Sequence, residues 1–260
     1  MTYAEKNLLV RIDQIVPEAV LGGTTAELLE YVDQYHAGGS GAVERLLPSL
    51  NLSPSDIVLD IGSGLGGPAR QVATTCGCRV TGVDITEAYV ETAIELTERC
   101  GLSDLVRFVH SDIAEFVTEE RFDAAFTMHV QMNVEAKREW FAEIAKRLAP
   151  GGKLAVWEVC QTSESSMPLP LPWSIDGSDS YLAASNDLRD DILGAGFELI
   201  EWVDESAWVN SWFNMVSDIP RGPSLMLLLE DGFSRTLNFA GALADGSLEV
   251  WRGAFVLSSA

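Results

Sequence analysis

Short runs of apolar and β-branched residues recur along the middle of the chain, and stretches with helical spacing of apolar positions separate them. Runs of this length and composition are typical of buried strands. Six strands are predicted at residues 56–61, 79–84, 106–110, 122–128, 153–159 and 197–203, and a final run at 248–257 closes the sheet. Because strands and helices alternate, the pattern predicts an α/β fold with a mostly parallel sheet and helices on both faces.

The helical stretches between the strands differ in clarity. Residues 87–100 and 135–148 show the clearest recurrence of apolar positions at three- and four-residue spacing. The sequence Pro150-Gly-Gly-Lys153 predicts a tight turn that leads into the fifth strand.

Two stretches interrupt the alternation of strands and helices. Residues 161–182 are rich in Pro and Ser, and residues 205–244 contain several aromatic side chains, so both are expected to form a lid over the sheet. We expect one domain over residues 1–260. Its parts are a helical N-terminal cap with a flexible turn at 1–40, a ligand-binding core at 41–204, a lid at 205–245 and a closing strand at 246–260.

The net charge narrows the choice of partner. The 260 residues include 17 basic and 39 acidic ones, which gives −22. A chain this acidic repels a phosphate backbone, so nucleic acid is not an expected partner. The acidity is interpreted mainly as a solvated surface, while adaptation to a salty cytoplasm and attraction of cationic substrates stay open.

The cysteines and the N-terminus bear on location. Cys76, Cys78, Cys100 and Cys160 lack the paired spacing of a metal site, so no metal is predicted, and reduced thiols are expected. Charged residues interrupt the apolar positions of the N-terminal segment MTYAEKNLLVRIDQ. Neither a signal peptide nor a membrane-spanning segment is predicted, and we expect a cytoplasmic protein without a membrane partner.

A glycine-rich turn follows the first predicted strand. In this turn Gly62-x-Gly64-x-x-Gly67 satisfies the dinucleotide-binding pattern of an NAD-dependent oxidoreductase. Asp60 argues against that pattern, because a carboxylate two residues before the first glycine repels a pyrophosphate. Adenosylmethionine has no phosphate and carries a sulfonium and an ammonium group, so it is compatible with Asp60.

Two further aspartates stand at the ends of the next strands. Asp84 can accept hydrogen bonds from the ribose hydroxyls of an adenosine, and Asp112 can accept one from the adenine amino group. Ile85 and Ile113 then lie on either side of the adenine ring. Each aspartate alone is typical of a helix cap or a turn. Their occurrence at neighbouring strand ends favours one adenosylmethionine site.

The motifs DIGSGLGG, GVDI, HSDI and RLAPGGKLAVWE together resemble those of class I adenosylmethionine-dependent methyltransferases over residues 41–204. DQYHAGGSGAVERLL, HVQMNVEAK and PLPWS resemble a small-molecule branch that includes glycine, sarcosine and dimethylglycine N-methyltransferases, phosphoethanolamine methyltransferases and natural-product enzymes. The resemblance implies the Rossmann-like fold of that class and S-adenosyl-L-methionine as cofactor. It implies a cofactor site lined by Gly62, Ser63, Gly64, Asp84, Ile85, Asp112, Ile113 and Met128, with the segment from Gln34 to Gly39 over the methionine end.

The catalytic residue is sought among the histidines. Methyl transfer needs an aligned acceptor, and a phenol or an ammonium acceptor must also lose a proton. His129, after the fourth strand, is the first candidate for the base, although a capping or packing role fits it equally well. His36 is the second candidate, with Tyr35 orienting the substrate, and His110 is interpreted as structural.

Several residues are candidates for substrate contact. Asn133 hydrogen-bonds either the substrate or the loop that carries His129. Trp173 and Trp212 wall an apolar pocket, surround a cationic amine or belong to the core. Glu158, near the end of the fifth strand, reaches the pocket floor or pairs with a neighbouring residue.

These observations predict methyl transfer to nitrogen or oxygen of a small, largely apolar or cationic metabolite. The substrate positions lack the arginine pairs expected for carboxylates or phosphates. A non-methylating reaction such as a cyclisation on the same scaffold remains an alternative, as do a non-catalytic binding module and the NAD-dependent oxidoreductase.

Overall fold

The structure is a computed structural model that describes residues 7–16, 25–162, 167–216 and 224–258. Parts of the predicted cap, lid and closing segment therefore lie outside the described residues. These parts are residues 1–6, 17–24, 163–166, 217–223 and 259–260.

A seven-stranded sheet forms the centre of the molecule, in the order β3-β2-β1-β4-β5-β7-β6. The strands are β1 (Ile57–Ile61), β2 (Arg79–Asp84), β3 (Val106–His110), β4 (Phe122–Met128), β5 (Leu148–Gln161), β6 (Phe197–Asp204) and β7 (Leu248–Leu257). Strands β1 to β5 pair in parallel, and β7 runs antiparallel to both β5 and β6. The predicted mostly parallel α/β sheet is confirmed.

Helices cover both faces of the sheet. In the described residues they are α1 (Leu8–Ile15), α2 (Ala26–Asp33), α3 (Gly39–Leu50), α4 (Gly67–Cys76), α5 (Glu87–Arg99), α6 (Lys137–Ala145), α7 (Ser185–Gly194), α8 (Ser206–Val216), α9 (Ser224–Leu228) and α10 (Gly232–Ala244). Neighbouring strand residues point to opposite faces. Trp157 packs in the cluster under α3, α4 and α10, and Val156 packs in the cluster under α6 and α7. Both faces are therefore buried. Within the described residues, no helix is both long and apolar enough to cross a bilayer.

Strand β5 departs from the sequence prediction at its start. The preceding helix was expected to reach Leu148 but ends at Ala145, and Leu148 already pairs with Phe122 of β4. The register then shifts, and Gly151 adopts a φ of 73°. The residues predicted as a tight turn before the strand therefore form an irregularity within it, and the strand begins earlier than expected.

A buried ion pair joins the N-terminal cap to the core. Arg70 on α4 donates from Nη2 to Asp33 Oδ2 on α2 at 2.9 Å, and both side chains are buried. A Cβ atom at Gly67 would lie 2.5 Å from the carbonyl oxygen of Asp33, so only glycine permits this approach. The pair therefore fixes the end of α2, and with it the turn from Gln34 to Gly38, beside the carboxyl edge of the sheet.

Candidate active site

A cavity of about 490 Å³ opens at the carboxyl ends of the parallel strands. Its wall is formed by the turns after β1 to β4, the α2–α3 junction, the segment 172–181 and helix α10. Of the residues predicted for the site, those that line the cavity are Tyr35, Gly62, Gly64, Asp84, Ile85, Asp112, Ile113, Met128, His129, Asn133 and Trp173. The topology therefore brings most of the predicted site together.

The other predicted residues lie outside the cavity lining, which does not include Gln34, His36, Gly39, Asp60, Ser63 or Trp212. Trp212 packs beside Gly39, where an added Cβ would lie 3.4 Å from its ring, and against Phe213 at 4.9 Å between ring centroids. The substrate contact predicted for Trp212 is therefore replaced by a packing contact in this structure. Asp60 and Ser63 are buried beneath the glycine turn.

The glycines of the turn are required for two different reasons. A Cβ at Gly62 would lie 2.4 Å from Val130, so packing demands glycine there. Gly64 has a φ of 52° and no atom within 4 Å of an added Cβ. The backbone at Gly64 is thus open to the cavity, and a ligand can approach it closely.

Asp84 supports this turn directly. Its Oδ2 accepts a hydrogen bond from the amide of Gly64 and its Oδ1 accepts one from the amide of Thr86, each at 2.8 Å. Burial raises the pKa of Asp84, and the two amide bonds oppose that rise. Each carboxylate oxygen retains a second lone pair, so the side chain can also accept from ribose hydroxyls.

Ile85 and Ile113, which are expected to lie on either side of an adenine ring, both line the cavity. Ile113 is buried, whereas 67% of Ile85 is exposed beside the cavity, which leaves an apolar face without packing partners of its own. Asp112 accepts a hydrogen bond from the amide of Ala114 at 2.8 Å, so it forms a turn as well as facing the cavity. The turn interpretation of Asp112 is therefore confirmed, and its contact with the adenine amino group stays a prediction.

The surroundings of Asp60 bear on whether the glycine turn suits a negatively or a positively charged ligand. Its side chain is buried, and its Oδ2 has no hydrogen-bond partner among the described residues. Burial, and then the nearby carboxyl group of Asp84, raise the pKa of Asp60 well above its usual value, and Arg70 opposes that rise. A pyrophosphate would add negative charge beside these two acids, whereas a positively charged ligand would favour their ionised forms.

His129 lies where β4 ends, and its backbone adopts the left-handed conformation with a φ of 58°. Its ring lies against Phe239, with 5.9 Å between centroids, and 6.2 Å from His36. Burial lowers the pKa of His129 well below its usual value, and Nε2 has no partner among the described residues. At neutral pH the imidazole is therefore uncharged, which is the form that accepts a proton.

His36 is buried more deeply than His129. Its Nε2 lies 2.8 Å from Gln34 Oε1, and burial lowers the pKa of His36 to about 4. His36 does not line the cavity, and its ring packs edge-on against the ring of His129. His110 contacts the carbonyl oxygen of Ile85 at 3.0 Å, which fits the structural role predicted for it.

The far half of the cavity is aromatic. Trp173 packs on Phe239 at 5.6 Å between ring centroids, and its Nε1 donates to Ser180 Oγ at 2.9 Å. Phe239 and Tyr181 also line the cavity but were not predicted from the sequence. Phe239 lies in an amphipathic helix whose pattern resembles that of any core helix, so no local signal marks it. Neither arginine nor lysine is among the described residues that line the cavity.

Comparisons with known proteins agree with this geometry. Residues 58–152 match the family model described as a methyltransferase domain. A sterol 24-C-methyltransferase of Gibberella zeae is 34% identical over 118 residues, which are 45% of this chain and 31% of that protein. The chain therefore spans about a third of the length of this relative.

Solved structures share the fold over more of the chain. Geranyl diphosphate C-methyltransferase from Streptomyces coelicolor has a TM-score of 0.67 at 18% identity and covers 84% of this chain and 79% of its own. The [4+2]-cyclase SpnF has a TM-score of 0.66 at 21% identity and covers 97% of this chain and 95% of its own.

The fold and the glycine-turn site define the class I adenosylmethionine-dependent methyltransferases. Residues 58–152 match a methyltransferase domain, and the fold is shared with solved methyltransferase structures, which agrees with the resemblance seen in the sequence.

Proposed function

We propose that the chain transfers the methyl group of adenosylmethionine to a small, largely apolar acceptor bound in the cavity. The observation that carries this proposal is the continuity of the cavity. One end has the acids and isoleucines suited to adenosine, and the other end is an aromatic chamber that contains an uncharged histidine.

The residues present fit the proposed cofactor. Asp84 would bind the ribose, Asp112 the adenine amino group, and Ile85 and Ile113 the two faces of the ring. Gly64 would allow the backbone to approach the ligand, and the buried Asp60 favours its positive charge. When bound, adenosylmethionine supplies an electrophilic methyl group.

Met128 and the segment from Gln34 to Gly39 complete the predicted cofactor contacts. Met128 lines the cavity. Gln34 and Gly39 would act through the turn between α2 and α3. The Gln34 side chain donates to Gln71 Oε1 at 3.3 Å and lies against His36, so this turn is held on the core side.

The acceptor end favours an uncharged or cationic molecule. Trp173 and Phe239 wall it, and no described basic side chain faces the cavity. A phosphate or a carboxylate would therefore lose water without gaining a cationic partner.

His129 is the proposed proton acceptor. The cofactor would supply the methyl group, its carbon–sulfur bond breaking to leave adenosylhomocysteine. His129 would take the proton that the acceptor atom loses, and the aromatic walls would exclude water. Oxygen and nitrogen acceptors are proposed first. The names of the sterol relatives make an electron-rich carbon the next acceptor to test, since it also loses a proton after methylation.

The proposal is tested with adenosylmethionine labelled in its methyl group and matched acceptors. Neutral phenols, aliphatic amines and isoprenoid alkenes should take the label, whereas analogues bearing a carboxylate or diphosphate should take at least tenfold less. Preferential labelling of the anionic analogues would contradict the proposed acceptor class.

A cyclisation without methyl transfer is the second candidate. The observation in its favour is that the likeness to the [4+2]-cyclase extends over 97% of the chain, including the lid helices. The two functions differ in cofactor consumption. Methyl transfer forms one adenosylhomocysteine for each product, whereas a cyclisation leaves adenosylmethionine unchanged.

A further inference from the structure

The segment from His129 to Val134 forms one wall of the cavity, although a single turn of 3₁₀ helix at Gln131–Asn133 is its only regular structure. His129, its first residue, has left-handed backbone geometry, which a non-glycine residue adopts only when its surroundings enforce it. Something outside the segment must therefore hold its path.

Glu158 on β5 makes the contacts that do this. It is completely buried and does not line the cavity. Its Oε2 accepts hydrogen bonds from the amides of Val130 at 3.0 Å and Gln131 at 3.2 Å. Its Oε1 accepts from Thr127 Oγ1 at 3.1 Å. One side chain on the neighbouring strand thus supplies hydrogen-bond acceptors for the amides at the start of the 3₁₀ turn.

The residues on either side of Glu158 hold the same segment. The carbonyl oxygen of Trp157 accepts from the amide of His129 at 2.9 Å, and that of Val159 accepts from the side chain of Gln131. On the β5 side both bonds use carbonyl oxygens of the backbone, so substitutions on β5 do not remove these acceptors. Glu158 is therefore the position on β5 at which the path of the segment depends on a side chain.

We propose that Glu158 is a positioning residue that holds His129 toward the acceptor through hydrogen bonds that do not need its negative charge. The role of His129 in this inference rests on the proposed function. The path of the loop does not, and it is measured separately.

The surroundings of Glu158 support an uncharged form. Burial raises the pKa of Glu158 to about 8, against the opposing effects of its amide and hydroxyl donors and of Lys137. The Lys137 ammonium donates to the carbonyl oxygens of Val134 and Tyr181 and not to the carboxyl group. A protonated Glu158 accepts both amides on one oxygen and donates from the other to Thr127, whose hydroxyl reverses its direction.

Three substitutions separate the shape of the side chain from its capacity to ionise. Glu158→Gln keeps the length, one acceptor and one donor, but cannot ionise. Glu158→Asp keeps the ionisable carboxyl group but is one methylene too short, and Glu158→Ala removes every acceptor. Val156→Ala is the matched control, because Val156 lies on the same face of β5 and packs in the core beneath the sheet.

Amide hydrogen exchange and histidine NMR test the loop without turnover, with adenosylhomocysteine as the bound probe. In Glu158→Asp and Glu158→Ala, the amides of Val130 and Gln131 should exchange about 10-fold faster or more, the ratio expected for one lost hydrogen bond. The ring signals of His129 should shift. Glu158→Gln and Val156→Ala should retain wild-type exchange at these amides and wild-type ring signals.

Turnover with an identified acceptor adds a second readout. Glu158→Asp should lower kcat and leave the KM for adenosylmethionine unchanged, and Glu158→Gln should restore kcat. Should Glu158→Ala fail to fold, the Asp and Gln variants decide the matter.

Two results would overturn the inference. One is wild-type exchange and ring signals in Glu158→Asp, and the other is a Glu158→Gln variant as impaired as Glu158→Asp. A failure to find any methyl transfer would overturn the proposed function, while the exchange data would still decide the role of Glu158 in the loop.

Discussion

Replacement of Asp84 by alanine should weaken cofactor binding more than any other single substitution in the adenosine half of the cavity. The side chain is buried, lines the cavity and holds the amides of Gly64 and Thr86 at 2.8 Å each. The substitution therefore removes the proposed ribose acceptor and releases the glycine turn that approaches the ligand.

The size of the effect follows from the number of hydrogen bonds lost. A hydrogen bond to a charged group contributes about 1.5–3 kcal/mol. Two ribose hydroxyls then correspond to about 3–6 kcal/mol, or roughly 10²- to 10⁴-fold in Kd. Release of Gly64 adds to this loss, so about 100-fold is the smallest weakening that agrees with the proposed contact.

Isothermal titration with adenosylhomocysteine measures this loss directly. An analogue without the ribose hydroxyls supplies the second half of a double-mutant cycle. Wild-type protein should lose affinity for that analogue, whereas Asp84→Ala should bind both ligands alike. Asp245→Ala is the control, because Asp245 also accepts a backbone amide, that of Ser247 at 2.9 Å, but lies away from the cavity. Equal affinity of wild type and Asp84→Ala for adenosylhomocysteine would refute the assignment of Asp84 to the ribose.

Three further predictions concern the base, the buried charges and pH. His129→Asn, which tolerates the left-handed backbone, should slow methyl transfer by about 10²- to 10⁴-fold with unchanged adenosylhomocysteine affinity, and wild-type turnover would eliminate His129 as the base. Arg70→Met should lower the free energy of unfolding by about 3–5 kcal/mol, because it leaves Asp33 buried without its partner. Arg235→Met should be neutral or stabilising, since the described residues offer Arg235 a carbonyl but no carboxylate. Denaturant unfolding measures both variants, and equal losses of stability would contradict this prediction. Because the pKa of Glu158 is raised to about 8, the folded protein keeps a proton there that the unfolded chain loses above its usual value near 4.5, so stability falls as pH rises from about 4.5 to 8. Glu158→Gln lacks this loss and should gain stability relative to wild type across that interval, while a difference that does not change with pH would contradict the raised pKa.

The strands could be predicted from the sequence because their signal is local. Buried parallel strands are short, nearly continuous apolar runs, and β2, β3 and β4 begin and end at the predicted residues. The start of β5 could not be found in the same way. The pairing of Leu148 with Phe122 depends on register across the sheet, while the local sequence Pro150-Gly151 indicates a turn.

The cofactor half of the candidate site was also accessible from the sequence. Asp84 and Asp112 stand at strand ends, and a parallel sheet brings such ends to one edge. The acceptor half depends on contacts between distant parts of the chain. Phe239 reaches the cavity from α10, and nothing in its own helix distinguishes it from a core residue.

The contacts of Glu158 are a second feature that could not be predicted from the sequence. The sequence marks it as a charged residue near the end of a strand, and reach to the pocket floor or pairing with a neighbour were the two interpretations. Its partners are the hydroxyl of Thr127 on β4 and backbone amides of the segment that follows β4. Hydrogen bonds to main-chain amides leave no trace in the sequence of the residues that donate them.

The central claim is methyl transfer from adenosylmethionine in this cavity. The measurement that tests it most directly is mass spectrometry of methyl-labelled adenosylmethionine incubated with the protein and a metabolite extract, with adenosylhomocysteine quantified in the same sample. The account predicts one labelled neutral or cationic product, formed in equal amount with adenosylhomocysteine, and about 100-fold less of both with Asp84→Ala at an adenosylmethionine concentration below the wild-type Kd. A product that carries no label, formed while adenosylmethionine stays intact, would contradict the account and support the cyclisation.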